Sequence, residues 1–214
     1  GLGRRGYEGD PRVRRPAIRF MFGEKVNSQA YTIRLGIFFG DREIEKETTR
    51  MMQAAVLLKP GKLEIRETPV PACPQGGVIV KVKASGICGS DVKMIQSGHR
   101  ALVYPRILGH EIAGVVAESR VKNFREGDRV QVAPGLRCGK CFQCRKGMDN
   151  QCENRGILGF TFDGGFAQYV AVPLEGPIVG ALNILPENVG YADATLVEPI
   201  ACSINAQEKA ASAE

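Results

Sequence analysis

The sequence predicts a mainly β domain with a few helices, an antiparallel barrel or sandwich. Three observations carry this. Short apolar runs, several alternating with period two, recur from Ala54 onward. Turn-forming residues separate them, and no stretch of eighteen apolar residues occurs anywhere in the chain. With 214 residues and 43% hydrophobic content, the chain is long enough to bury a core and too balanced in composition to remain unfolded.

The expected strands are Ala54 to Leu58, Leu63 to Glu67, Val78 to Ala84, Ile112 to Glu118, Arg129 to Ala133 and Ala167 to Val172. Pro60-Gly61, Gly76-Gly77, Glu126-Gly127-Asp128 and Gly164-Gly165 turn the chain between them. Ser90 to Gln96 reads as helix, and so does Tyr191 to Ala211, where alanines favour the helix and Pro199 starts or kinks it. Leu174 to Ala181, LEGPIVGA, is a longer connection than the pattern requires, with room to reshape the barrel edge.

Charge is placed unevenly. Residues 1–20 hold six arginines against Glu8 and Asp10, which is +4 of the formal +6. Such a tail suits nucleic acid in principle, but the blander reading, a solvated and disordered extension over residues 1–50, is preferred. Periodicity is poor before Met51, so these fifty residues are expected to be upstream sequence carried along. Gly1-Leu2-Gly3-Arg4-Arg5-Gly6 matches a dinucleotide fingerprint by coincidence, since no strand precedes it. Nothing marks the chain for a membrane or for export, and a cytoplasmic location without disulfides is expected.

Four of the seven cysteines fall within CGKCFQCRKGMDNQC, Cys138 to Cys152. The spacing C-x2-C-x2-C-x7-C lets Cys138, Cys141, Cys144 and Cys152 reach one cation at about 2.3 Å, and four thiolates in tetrahedral array suit a structural zinc. The iron–sulfur run that opens the same way brings its fourth cysteine after three residues and follows it with proline; here seven intervene and Glu153 follows. Lys140, Arg145 and Lys146 partly offset the charge of such a centre. Cys73 and Cys202 read as small buried hydrophobes.

A second constellation spans GICGSD, Gly86 to Asp91, and LGHE, Leu108 to Glu111. Cys88 ends an apolar strand between glycines, and His110 and Glu111 open the next. One thiolate, one imidazole and one carboxylate with a position to spare is the donor set of a catalytic zinc. His99 reads as solvated.

In order, GICGSD, LGHEIAGVV, GDRVQVAP, CGKCFQC with Cys152, GGFAQYVAV and LVEPIAC resemble the zinc-dependent medium-chain alcohol dehydrogenases, in particular polyol members of the sorbitol and threonine dehydrogenase kind. The resemblance runs from Met51 to about Ala210. It implies a GroES-like catalytic domain over residues 51–189, a partly open β-barrel with a zinc lobe at 134–156, and a helical segment at 190–214 leading towards a Rossmann domain that binds NAD or NADP. It makes Cys88, His110 and Glu111 ligands of a catalytic zinc, with Glu198 binding directly or through water. Ser90 passes the substrate proton outward, and Asp91 orients the ligand histidine. Zinc stabilises an alkoxide, whose carbon gives hydride to the nicotinamide.

After Glu198 only sixteen residues follow, with no strand, Gly-rich turn and helix. The expectation is therefore a catalytic-domain fragment with its Rossmann domain absent, inactive alone, acting with that domain on a small alcohol or polyol as a homo-oligomer. The rival expectation is a zinc-lobe binding protein whose basic arm contacts nucleic acid or another partner. Two zinc ions per chain favour the first, one the second.

Overall fold

The computed structural model describes residues 50–176 and 178–211. The expected basic extension therefore lies, except for Arg50, outside the described residues. Nine strands and four α-helices follow in order: β1 (Met51–Lys59), β2 (Lys62–Pro69), β3 (Gly77–Gly86), α1 (Gly89–Ser97), β4 (Arg106–Ile107), β5 (Glu111–Ser119), β6 (Arg129–Arg137), α2 (Phe142–Arg145), β7 (Gly156–Ile157), β8 (Tyr169–Pro173), β9 (Val179–Ile184), α3 (Tyr191–Thr195) and α4 (Val197–Ala211). One turn of 3-10 helix, Asp149–Gln151, sits between α2 and β7.

The strands form two antiparallel sheets. A three-stranded sheet has the order β2-β1-β4, and a six-stranded one runs β7-β6-β5-β3-β8 with β9 also paired to β6. The larger sheet curls into a half-barrel. Ala55 donates its N–H to the Phe166 carbonyl at 2.7 Å, and Ala54 bridges Ala167, which ties the small sheet to the large one.

Alternation explains where the core sits. Val78 and Val80 of β3 point to one side and meet Ile112, Val116, Val130 and Val132, while Ile79 points to the other and meets Met52, Val56, Ile107 and Tyr169. Strand β3 is thus buried on both faces at its start. Each such side chain contributes about 1.5–3 kcal/mol by leaving water. Leu57, Met94, Leu102 and Leu108 form a third cluster that packs α1 beneath the loop carrying His110.

Most expected elements are present; two differ, and so does the burial of one cysteine. The long connection conceals β9: Val179 to Ile184 pairs with β6, Val132 opposite Leu182, so the stretch closes the barrel edge with a strand. Its Gly180 and half-buried, interrupted pattern hide the alternation. The C-terminal helix is broken at Leu196 into α3 and α4, with Pro199 in the first turn of α4, where its missing N–H costs nothing. Cys202 is exposed, against the expectation of burial, because α4 beyond its first turn is exposed throughout and none of its residues is fully buried among the described residues. Cys73 is buried as expected. No helix among the described residues is long and apolar enough to cross a membrane.

Two candidate metal centres

The four-cysteine lobe leaves the sheet between β6 and β7. Cys138, Cys141, Cys144 and Cys152 bring their sulfurs within 4.8 Å of one another. Local backbone does this work. Cys138 donates its N–H to Cys152 Sγ at 3.3 Å, and Cys144 donates to Cys141 Sγ at 3.5 Å, where Cys141 caps α2. Gly139 and Gly147 take positive φ, which lets the chain turn between ligands. Backbone N–H groups of Lys140 and Cys141 hold the Cys138 thiol down at about 6. Burial, and then the neighbouring Cys141 and Cys152, push Cys144 up to about 12. Within one cluster, then, the Cys138 thiol is favoured to ionise and the Cys144 thiol is not. A dication removes that conflict, so this donor set fits zinc.

The second centre is assembled by strand pairing. Sulfur of Cys88, a ring nitrogen of His110 and a carboxylate oxygen of Glu111 lie within 4.8 Å of one another. Cys88 is the N-cap of α1, directly after β3, and Glu111 begins β5; the β3–β5 register sets Gly86 opposite Glu111. His110 and Glu111 are buried and Cys88 is half-buried. Gly109, at φ 92°, delivers His110 into the site, and its carbonyl accepts from the Gly165 N–H at 2.9 Å.

Asp91 is fully buried and organises this centre. Its Oδ2 accepts from the Cys88 N–H at 3.0 Å, its Oδ1 accepts from the Gly109 N–H at 3.3 Å, and the same oxygen lies 3.4 Å from His110 Nδ1. This last pair is an ionic contact without hydrogen-bond alignment, which leaves Nδ1 a buried atom with no hydrogen-bond partner. On the other side of the ring, Nε2 lies 3.3 Å from Ser90 Oγ. Burial works to lower the His110 pKa, but Asp91 and Cys88 outweigh it and raise the group to about 9. The Cys88 thiol is held below its ordinary value, first by the hydroxyl and backbone N–H of Ser90 and then by His110. A thiol and an imidazole that favour an ion pair beside a carboxylate fit a divalent cation with an open coordination position.

Glu198 is not part of this group. Its Oε1 accepts from Cys202 Sγ at 3.5 Å on α4, and its carboxylate is not among the three clustered donors. Two features escaped the sequence reading. Phe160 lays its ring 5.4 Å from the His110 ring and receives the edge of exposed His99 at 5.7 Å. Gly86 holds space for Glu111; the glycines flanking Cys88 were the only signal for it.

A family model described as the alcohol dehydrogenase GroES-like domain matches residues 74–180, half of the chain. The chain belongs to this family. The D-altritol 5-dehydrogenase of Agrobacterium fabrum is 37% identical over 161 residues, 74% of this chain and 46% of that protein. An E. coli short chain alcohol dehydrogenase solved with NADH superposes with a TM-score of 0.63 at 37% identity, covering 70% of this chain and 42% of that one. A thermostable alcohol dehydrogenase from Pyrobaculum aerophilum, solved with cobalt and zinc, gives 0.61 at 32% identity over 70% of this chain and 45% of its own. The chain thus spans less than half the length of these relatives.

Proposed function

We propose that this chain carries the catalytic half of a zinc-dependent alcohol or polyol dehydrogenase that works with NAD or NADP. The observation behind this is the convergence of Cys88, His110 and Glu111 within 4.8 Å, separate from the four-cysteine lobe. The rival reading, a binding protein with one zinc lobe, needs no such second cluster.

Cys88, His110 and Glu111 would hold the catalytic ion, and Cys138, Cys141, Cys144 and Cys152 the structural one. When bound at the first site, zinc supplies Lewis acidity, polarising an alcohol oxygen and lowering its pKa. The protein's own groups do the rest. Ser90 Oγ, 3.3 Å from His110 Nε2, stands at the edge of the cluster, where a hydroxyl can accept the alcohol proton and pass another outward. Asp91 keeps His110 turned so that Nδ1 faces the carboxylate and Nε2 faces Ser90. Phe160 covers the imidazole and keeps water from one side of it. Glu198, half-buried on the first turn of α4, is a candidate to bind the ion directly or through water.

The named strands among the described residues pair antiparallel and form no parallel βαβ unit, so no dinucleotide-binding fold is built from them and no step is derived through that cofactor. The test has two arms. Zinc analysis of the purified 214-residue chain is expected to find two ions; one ion would favour the rival. With NAD or NADP and a range of polyols, the same chain is expected to show no turnover, because without a held cofactor roughly 7–11 kcal/mol of proximity is lost. Fusion at about Ala210 to a nicotinamide-binding domain from a similar polyol dehydrogenase is expected to restore turnover, and Ser90→Ala in the fusion to lower it with zinc content unchanged. Turnover by residues 1–214 alone, free of contaminating enzyme, would overturn the reading of this chain as half a catalyst.

A further inference from the structure

Strand pairing places Gly86 of β3 directly opposite Glu111 of β5. In an antiparallel pair, residues facing one another project their side chains to the same side of the sheet, so a side chain at position 86 would occupy the space over which Glu111 bends. A Cβ built on Gly86 overlaps Glu111 Oε2 and comes within 3.0 Å of Glu111 Cβ and 3.1 Å of its Cδ. Gly86 has no positive φ, so its backbone does not require glycine. The need is one of space alone.

The atom met first is the far end of a flexible side chain, while the Glu111 Cβ at 3.0 Å need give by only a few tenths of an ångström. An alanine here would turn the Glu111 carboxylate away at the cost of a small local adjustment of the strand pair. By contrast, at Gly114 in the same strand pair the first atom met is the Lys81 backbone carbonyl, which cannot turn aside. Two residues after Gly86, Cys88 supplies the sulfur that Glu111 must approach, and Glu111 is only 7% exposed. Little other room exists for its carboxylate.

We infer that Gly86 is a positioning residue: the missing side chain is the notch through which Glu111 reaches Cys88 and His110, and so it sets the cluster at three donors instead of two. This rests on the reading of that cluster as a metal centre. It acts through Glu111 only.

The test is titration with cobalt(II), followed by its visible absorption, of the 214-residue chain whose lobe retains zinc. Gly86→Ala is expected to bind cobalt about 10–100-fold more weakly, with a spectrum matching that of Glu111→Ala. Its melting temperature should stay within about 2 °C of wild type. In the double variant Gly86→Ala/Glu111→Ala the clash is gone, so affinity should equal that of Glu111→Ala alone within about twofold. Wild-type affinity and spectrum in Gly86→Ala would overturn the inference. So would a further tenfold loss in the double variant, which would mean that Gly86 supports the fold generally. If Gly86→Ala does not fold, the double variant still decides by the same comparison. A wild-type chain that takes up no cobalt beyond its lobe fails before any variant is made, and overturns the metal reading together with this one.

Discussion

The outermost ligands of the lobe, Cys138 and Cys152, are 14 residues apart and are joined by a direct N–H to sulfur contact. Cys88 and Glu111 come from the end of one strand and the start of another, and meet because β3 and β5 pair along their length. The lobe is a local loop with few apolar contacts of its own, and its exposed Phe142, Lys140 and Arg145 bury little. The Cys88 cluster rests on buried Asp91, Met94 and Leu108. The difference leads us to expect that the lobe depends on a bound ion to stay closed, whereas the Cys88 cluster is held by the packed core around it.

The sharpest way to break the comparison is to remove one ligand from each. On the proposed structural zinc, Cys141→Ser should lower the melting temperature by roughly 10 °C, since it would forfeit the binding energy that closes the lobe. Cys88→Ala should leave it nearly unchanged while losing the other ion. Scanning calorimetry with zinc analysis reads both; equal melting losses would mean that the two centres contribute alike to the fold.

Next in size is the order of metal loss. Dialysis against a weak chelator is expected to remove the ion at Cys88 first and the lobe's ion later, since four thiolates enclose the latter and three mixed donors leave the former open. A single step releasing both would erase the distinction. A smaller effect is expected from Asp91→Asn, which weakens the orienting contact to His110 yet can still accept the Cys88 N–H. It should reduce cobalt affinity at the Cys88 cluster by about 10–100-fold and leave the lobe's affinity alone. An equal loss at both centres would show that Asp91 acts on the whole fold.

The smallest effect concerns pH in the metal-free chain. His110 rises from an ordinary 6.5 to about 9 in the folded state, with Asp91 and Cys88 outweighing burial. A raised folded value means that protonated His110 stabilises the fold fully below about 6.5, and that this contribution is lost as pH climbs through about 9. The lowered Cys138 and Cys88 thiols act in the opposite sense over the same window, so the share of His110 is read as the melting-temperature difference between wild type and Asp91→Asn, which should shrink as pH rises from about 6.5 to about 9. A difference that stays constant with pH would assign the effect to another group.

Much of this protein was readable as sequence wherever neighbours in the chain are neighbours in space. The spacing of Cys138, Cys141, Cys144 and Cys152 named a metal lobe because tight turns let residues three apart share one cation. The alternating runs named β1, β2, β3, β5 and β6 because burial on one face repeats every second residue. Ser90 to Gln96 named α1, although not that Asp91 would cap it and steady His110 at once. Tertiary structure alone decided the rest. Strand β9 exists because β6 offers it an edge, a fact that no local pattern in LEGPIVGA contains. Cys202 lies in the open because apolar spacing on a helix says which face could be buried, not whether anything packs there. Gly86 matters because strand register sets it opposite Glu111, and register is a property of two strands together that neither sequence segment encodes by itself.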